Sequence, residues 1–377
     1  VSHQHLSDHL SELVETTLND LVNSKCISIE DEMDVSPLNL GMIAAYYNIS
    51  YVTVEVYTLS LKERTKMKGL LEVISSSAEF ENIPIRRHED ALLRRIYDRV
   101  PVKADTMDFE APHIKTFLLL QAHFSRLQLP ADLAADQAMV LEKVLNLLSA
   151  CVDVMSSNAW LNALGAMDLS QMCVQAMWES DSPLKQIPHF EPEVVKRCKD
   201  AGIESVYDIM EMEDGQRNEL LQMDSRQMRD VAAFVNSYPT LEVTHELVKG
   251  EYKAGSPIVL QVALSRDADE EDGDGSATDA SVVAPYFPGK KMANWWVVVG
   301  EQSTRQLLSI KRVTVAKSLG VKLEFTLPKG THELRLYVIC DSYVGADHDV
   351  ALEKIEVAEG EDSDSDEEDS DEDAMEE

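Results

Sequence analysis

Residues 138–161 read AMVLEKVLNLLSACVDVMSSNAWL, and the placement of this run decides the first half of the fold. Met139, Val140, Leu141, Val144, Leu145, Leu147, Leu148, Cys151, Val152, Val154 and Met155 fall on nearly every side of a helix. One apolar stripe cannot hold them, so the helix is expected to be buried. At about 1.5 Å per residue it is roughly 33 Å long, the width of a small domain, which predicts a central rod with other helices around it. Glu142, Lys143, Asn146 and Asp153 are its strongly polar residues, so any ligand-facing strip is narrow. With the Ser156-Ser157-Asn158 break, they leave too short an uncharged run for a membrane span.

Upstream, 6–21 repeats apolar residues at helical spacing with Ser7 as its cap, and 26–29 alternates like a short strand before the acids 30–34. Pro37 opens a helix over 38–47. Residues 51–61 are rich in β-branched side chains, yet their neighbours are helical, so helix is expected there against the local propensity. Further helices are expected at 66–80, 89–100, 112–127 and 164–178, with Pro84, Pro101, Pro112 and Pro130 between them. Shorter ones follow at 193–199, 206–212, 215–221 and 225–238. After Pro239 the period changes to that of strands: 241–248, 257–264, 295–300, 307–313, 321–327, 332–340 and 350–357 are short β-type runs separated by turn residues.

The expected fold class is therefore multidomain α plus β. Residues 1–36 end a winged-helix domain, 37–182 form a helical bundle, 183–239 a helix-loop-helix, and 240–357 an immunoglobulin-like or fibronectin-like β-sandwich. Residues 358–377, EGEDSDSDEEDSDEDAMEE after Ala358, cannot bury a core and are expected to be a disordered acidic tail.

The net charge of −34 is concentrated: 267–279 holds seven acids and 358–377 thirteen, without a base in either, and these 20 leave −14 for the remaining chain. Such a body repels phosphate backbones over a Debye length of about 8–10 Å, so weak or no autonomous RNA binding is expected. Five cysteines without CxxC spacing fit free thiols in a reducing compartment. The chain starts at Val1 without an initiator Met or visible signal peptide, which reads as a fragment.

Motifs for chemistry are weak. Asp31-Glu32-Met33-Asp34 imitates the acidic box of a helicase, but the preceding strand is short and no GxxxxGK[ST] loop occurs, so a solvated acidic wing is preferred. His3, His5 and His9 lack carboxylate or Cys support, so no metal site is expected. No GxSxG, HExxH or paired-carboxylate constellation appears, and no catalytic residue is assigned. The turn between two short helices at 194–203 could aim amides at a phosphate, with Lys196, Arg197, Lys199 and Gly202 as candidates, although packing between domains is the commoner use. Arg86 stands before a helix and could fork onto a phosphate or a neighbouring carboxylate; the structural ion pair is preferred. In Trp295-Trp296, strand alternation sends one ring inward and the other outward, and the outward ring is the candidate protein-interface anchor. Ser363, Ser365 and Ser370 each have an acid three residues on, the pattern of acidophilic phosphorylation.

Seven segments carry a family likeness: PLNLGMIAAYY, ENIPIRRHED, LLLQAHFSRLQLP, IPHFEPEVVKRC, GIESVYDIMEMED, WWVVVG and LSIKR. The chain resembles, from residue 1 to about 357, the C-terminal cassette of the spliceosomal Ski-two-like RNA helicases, in particular their Sec63 homology unit. That resemblance implies a helical bundle, a helix-loop-helix and an immunoglobulin-like domain in that order. It also implies that the helix at 139–158 corresponds to one that lines an RNA channel, where Lys143, Asn146, Ala150 and Asp153 would face the channel. It further implies a nuclear, non-catalytic module of a pre-mRNA splicing helicase that unwinds small nuclear RNA duplexes. Its partners would be spliceosomal proteins and the N-terminal helicase cassette of the same chain, with no membrane contact. ATP and magnesium would belong to helicase domains outside this chain, which would hold no cofactor itself. The alternative is an RNA-guiding accessory part of an active Ski-two-like helicase, such as that of the activating-signal co-integrator complex.

Overall fold

The computed structural model describes residues 2–266 and 281–360. The whole acidic insert 267–279, residues 361–377 of the acidic tail and the phosphorylation candidates Ser363, Ser365 and Ser370 lie outside the described residues. Among the described residues the fold is mixed α and β: one helix and a short hairpin, then eleven further α-helices, then sheets in the C-terminal third.

Helix α1 (His3–Asn23) begins earlier than the pattern predicts, because the Ser2 hydroxyl, not Ser7, accepts the His5 amide at 3.2 Å and satisfies a donor of the first turn. Strands β1 (Ile27–Glu30) and β2 (Asp34–Pro37) form a hairpin. Asp31 and Glu32 take left-handed backbone in its turn, so these acids build a turn rather than a metal-holding box.

Helices α2 (Asn39–Tyr47), α3 (Tyr51–Ser60), α4 (Met67–Ser75), α5 (Asp90–Arg99), α6 (Pro112–Phe124), α7 (Ala131–Ser157) and α8 (Ala163–Gln175) follow. The β-branched run is helical in α3 because Ser50 caps it, and because Thr53, Val54 and Tyr57 are buried. Glu79 also receives the Ser50 amide at 2.7 Å and the Thr53 hydroxyl. Packing and capping together outweigh a β preference worth about 1 kcal/mol.

The rod α7 packs on α2, α6 and α8 but differs from its expected form in two ways. It runs over 27 residues from Ala131, directly after Pro130, and ends at Ser157, so 158–161 are not helical. It is also not buried on every side: Met139, Glu142, Lys143 and Asn146 are exposed on a face that no neighbouring helix covers.

Short helices α9 (Pro192–Asp200), α10 (Val206–Glu211), α11 (Asp214–Leu221) and α12 (Ser225–Ser237) lead to strands β3 (Leu241–Leu247), β4 (Ile258–Arg266), β5 (Trp295–Glu301), β6 (Gln306–Val313), β7 (Ser318–Phe325), β8 (Gly330–His332), β9 (Arg335–Cys340), β10 (His348–Ala351) and β11 (Ile355–Val357). The runs expected at 332–340 and 350–357 each divide in two. β9 and β10 pair in the sheet ordered β10-β9-β5-β6, whereas β8 pairs with β11, so the chain steps sideways near Leu334 and Leu352. A third sheet is ordered β3-β4-β7; all pairings between these strands are antiparallel, and a parallel bridge joins Lys253 to Ala358.

Two hydrophobic cores result. One surrounds α7; the other joins the β-strands to α9–α12. Strand β5 lies between them, and its alternation serves both: Trp295, Val297 and Val299 enter the second core, Trp296 and Val298 the first. This corrects the expected interface anchor, because neither indole is available to a partner. The exposures are 1% for Trp295 and 2% for Trp296, the latter ring being covered from the α7 side.

Candidate functional site

The buried charges come first, since burying an ion without a partner is costly. Lys115 on α6 is fully buried, and its ammonium meets Asp136 Oδ2 at 2.7 Å and Glu89 Oε2 at 2.9 Å while donating to the Pro84 carbonyl. Arg86 forks onto the Asp136 carboxylate at 2.7 and 3.2 Å and reaches Glu89 Oε1 at 2.7 Å. Two cations therefore balance two anions. Burial pushes both carboxyls up, but bonds from Lys115 and Arg86 outweigh it and hold both below the ordinary range. Arg86 thus commits both its Nη atoms to carboxylates, one of them on α7, which is the structural ion pair rather than a phosphate grip.

The α7 strip divides in half. Lys143 and Asn146 are exposed, but Ala150 is fully buried and Asp153 is half-buried. The Tyr47 hydroxyl donates to Asp153 Oδ2 at 2.7 Å. Arg312 on β6 donates to the Ser149 hydroxyl at 2.8 Å and to Asp341 Oδ2 at 3.1 Å, with its guanidinium 5.0 Å from the Trp296 ring centroid. Burial raises the Asp153 carboxyl above the usual range. Ala150 and Asp153 therefore do not face an open channel as expected: α2 closes one side, and β6, packed down by Trp296, closes the other.

At the 194–203 turn, Lys196, Lys199 and Gly202 are exposed, and Gly202 supplies the left-handed backbone with φ +77°. Arg197 is not free for a phosphate. Its Nε donates to the Leu220 carbonyl at 3.1 Å and its Nη2 to that of Leu221 at 3.0 Å, capping the end of α11. The start of α10 is also occupied, since Ser205 and Asp208 form a reciprocal capping box.

Sequence reasoning missed the joint between the α7 core and the sheets. The Ser170 hydroxyl donates to the Asp341 carbonyl at 2.9 Å, the Gln171 amide to Cys340 at 2.7 Å, and the Gln175 amide to Ser342 at 2.8 Å. Gln186 makes paired bonds with the Val344 backbone at 2.7 and 3.0 Å, and the Tyr238 hydroxyl reaches the same carbonyl at 2.6 Å. The segment after α7 adds to the edge of β6, with Leu161 N donating to Arg305 O at 3.1 Å and Leu307 N to Ala159 O at 2.9 Å. The signal was faint: Ser170, Gln171 and Gln175, with Asp168, on a helix that is otherwise apolar. Near this joint, burial and the like charges of Asp347 and Glu179 push the Asp168 carboxyl up to about 7. Asp347 is lifted by burial to about 6, against bonds from Gln171 and the Cys340 amide.

Nothing in this arrangement resembles a reaction centre. Burial pushes the thiols of Cys151, Cys173 and Cys340 far up, leaving them protonated and without nucleophilic character. Among the described residues, no group of three or more His, Cys, Asp or Glu side chains could hold a metal ion, and no helix is long and apolar enough to cross a membrane. What the geometry builds is a rigid joint of interlocked backbone and amide contacts.

Residues 37–353 match the family described as the Sec63 Brl domain. The chain belongs to that family. Residues 1–31 match a winged helix-turn-helix domain, which accommodates α1 and the start of the hairpin. The Sec63 Brl match takes in the α7 rod, the short helices and the strands β3 to β10, stopping just before β11, and it is not a helicase core. Over 364 residues the chain is 54% identical to the human U5 small nuclear ribonucleoprotein 200 kDa helicase, covering 96% of this chain and 17% of that protein. It is 45% identical over 357 residues to the pre-mRNA-splicing factor brr2 of Schizosaccharomyces pombe, covering 94% of this chain and 16% of that protein. To the DExH-box ATP-dependent RNA helicase DExH12 of Arabidopsis thaliana it is 48% identical over 356 residues, covering 93% and 16%. This Sec63 Brl chain thus spans about a sixth of the length of the relatives it matches.

Proposed function

We propose that this Sec63 Brl chain is a non-catalytic docking and regulatory module of a nuclear pre-mRNA splicing helicase. Residues 1–36 end a winged-helix domain, 37–182 form a helical bundle, 183–239 a helix-loop-helix, 240–357 an immunoglobulin-like sandwich, and 358–377 an acidic tail. The module binds spliceosomal proteins and the N-terminal helicase cassette of the same protein, while ATP and magnesium act in helicase domains outside it. The carrying observation is the half-closed α7 strip: Tyr47 and Arg312 cover Asp153 and the turn around Ser149, leaving Lys143 and Asn146 as its open polar residues. An acidic body with so short an open strip supports protein contacts over RNA guidance. Titration of the chain with single-stranded RNA across salt tests this. Weak binding is expected; submicromolar affinity with a steep salt slope would establish the RNA-guiding alternative instead.

A further inference from the structure

The outer face of α5 has no role in the docking module as described so far. Leu93 and Ile96 are buried, whereas Arg94, Arg95 and Arg99, together with Arg87 just before the helix, are exposed. Several other guanidiniums are engaged: Arg86 by Asp136, Arg217 by Asp214, Arg335 by Asp349, and Arg126 and Arg197 by backbone carbonyls. Exposed Arg64, Arg226, Arg229 and Arg305 also lack a carboxylate partner among the described residues, but they are scattered, with at most two on one helix. Among the described residues, Arg87, Arg94, Arg95 and Arg99 form no ion pair with a carboxylate. Dipole stabilisation in the last helical turn accounts for Arg99 but not for the other three. The face also has an aromatic floor. The Arg94 guanidinium lies 5.4 Å from the Phe109 ring centroid, the Lys103 ammonium lies 4.3 Å from that of Tyr97, and the two rings meet edge to face at 6.4 Å. Arginines held over rings lose little freedom when they fork onto a carboxylate.

We propose that this face docks an acidic, extended segment of a partner protein, naming a surface and a partner chemistry for the docking function on which this inference rests. Charge complementarity selects the occupant. Four exposed arginines without a carboxylate partner, clustered on or just before one helix, form a local positive patch on a chain of net charge −34. A nucleic-acid backbone fits it less well, because its charges come at a fixed spacing and must pass the exposed Asp90 and Asp98 on the same helix, whereas a peptide can put uncharged residues beside those acids. A short peptide can place single carboxylates on single guanidiniums and lay apolar side chains on Tyr97 and Phe109.

The test is fluorescence anisotropy of a labelled oligo-glutamate peptide with the full chain, at about 0.05 and 0.3 M salt. Expected is binding that weakens with salt and drops at least about tenfold in the triple variant Arg94→Glu, Arg95→Glu, Arg99→Glu. Triple Lys replacement should give an intermediate loss, since the fork is removed but the charge kept. An unchanged melting temperature in the Glu variant shows that the inner face of α5 is intact. Three results overturn the proposal: equal binding by wild type and Glu variant; an RNA oligonucleotide of equal charge binding the same arginines more tightly; or binding that appears only when the acids of 361–373 are changed to amides, which would make the chain's own tail the occupant. Retention of the Glu variant in splicing complexes, read in parallel, separates the two claims. If the probe does not bind while retention of wild type and variant is equal, the arginine face fails and the docking module stands.

Discussion

The indoles of Trp295 and Trp296 are neighbours in the chain yet are buried in different hydrophobic cores, one among the strands and one around α7. Because β5 is sandwiched between the two cores, it is the shared wall through which the sheets grip the helices. Trp296→Ala should cost about 3–5 kcal/mol. It should speed hydrogen exchange in α7 around Ser149, where Arg312 loses its aromatic floor. Trp295→Ala should cost a similar amount but show its effect in β4 and β7. Identical exchange patterns in the two variants would show that the cores are not distinct.

A second grip depends on the absence of a side chain. A Cβ on Gly300 would stand 2.5 Å from Leu161 Cδ1. Gly300→Ala is expected to destabilise the protein by about 1–3 kcal/mol through overpacking. Adding Leu161→Ala should recover part of that loss, which a double-mutant cycle in urea would register as coupling. Purely additive effects would show that the joint yields at this point.

The four-charge cluster predicts an asymmetry between its members. Lys115→Ala leaves Asp136 and Glu89 buried with only the half-exposed Arg86 for compensation, and should cost about 3–5 kcal/mol. Lys115→Met combined with Asp136→Asn removes one charge of each sign and should cost less than the lysine change alone. Thermal melts of the two variants decide this.

Asp168 gives the stability a definite pH dependence. Its folded pKa, raised to about 7, lies above the unfolded value of about 3.9. Stability from its protonated form is therefore fully present below about pH 4 and is lost as pH rises toward 7. Asp168→Asn should flatten that part of the stability profile and raise stability near neutral pH, measured as the urea midpoint from pH 5 to 8. An unchanged slope would show that the carboxyl is solvated.

Periodicity by itself determined the order of helices and strands, because the apolar spacing of 3.6 or 2 is imposed by whichever face must be buried, and that requirement is local. It put the change to strands after Pro239, whereas α3 was expected to be a helix only from its helical neighbours, against its own local preference. The family resemblance implied that Lys143 and Ala150 face one channel, yet one is open and the other sealed. Only tertiary structure decided that, since the lid consists of Tyr47 and Arg312, 106 and 163 residues from their partners Asp153 and Ser149. The same holds for Trp296: alternation requires it to point away from Trp295, but whether that side meets solvent, a partner or a second core depends on where α7 lies. Arg197 shows the limit most simply, because a cation beside a glycine turn reads as a phosphate ligand until the carbonyl end of α11 folds against it.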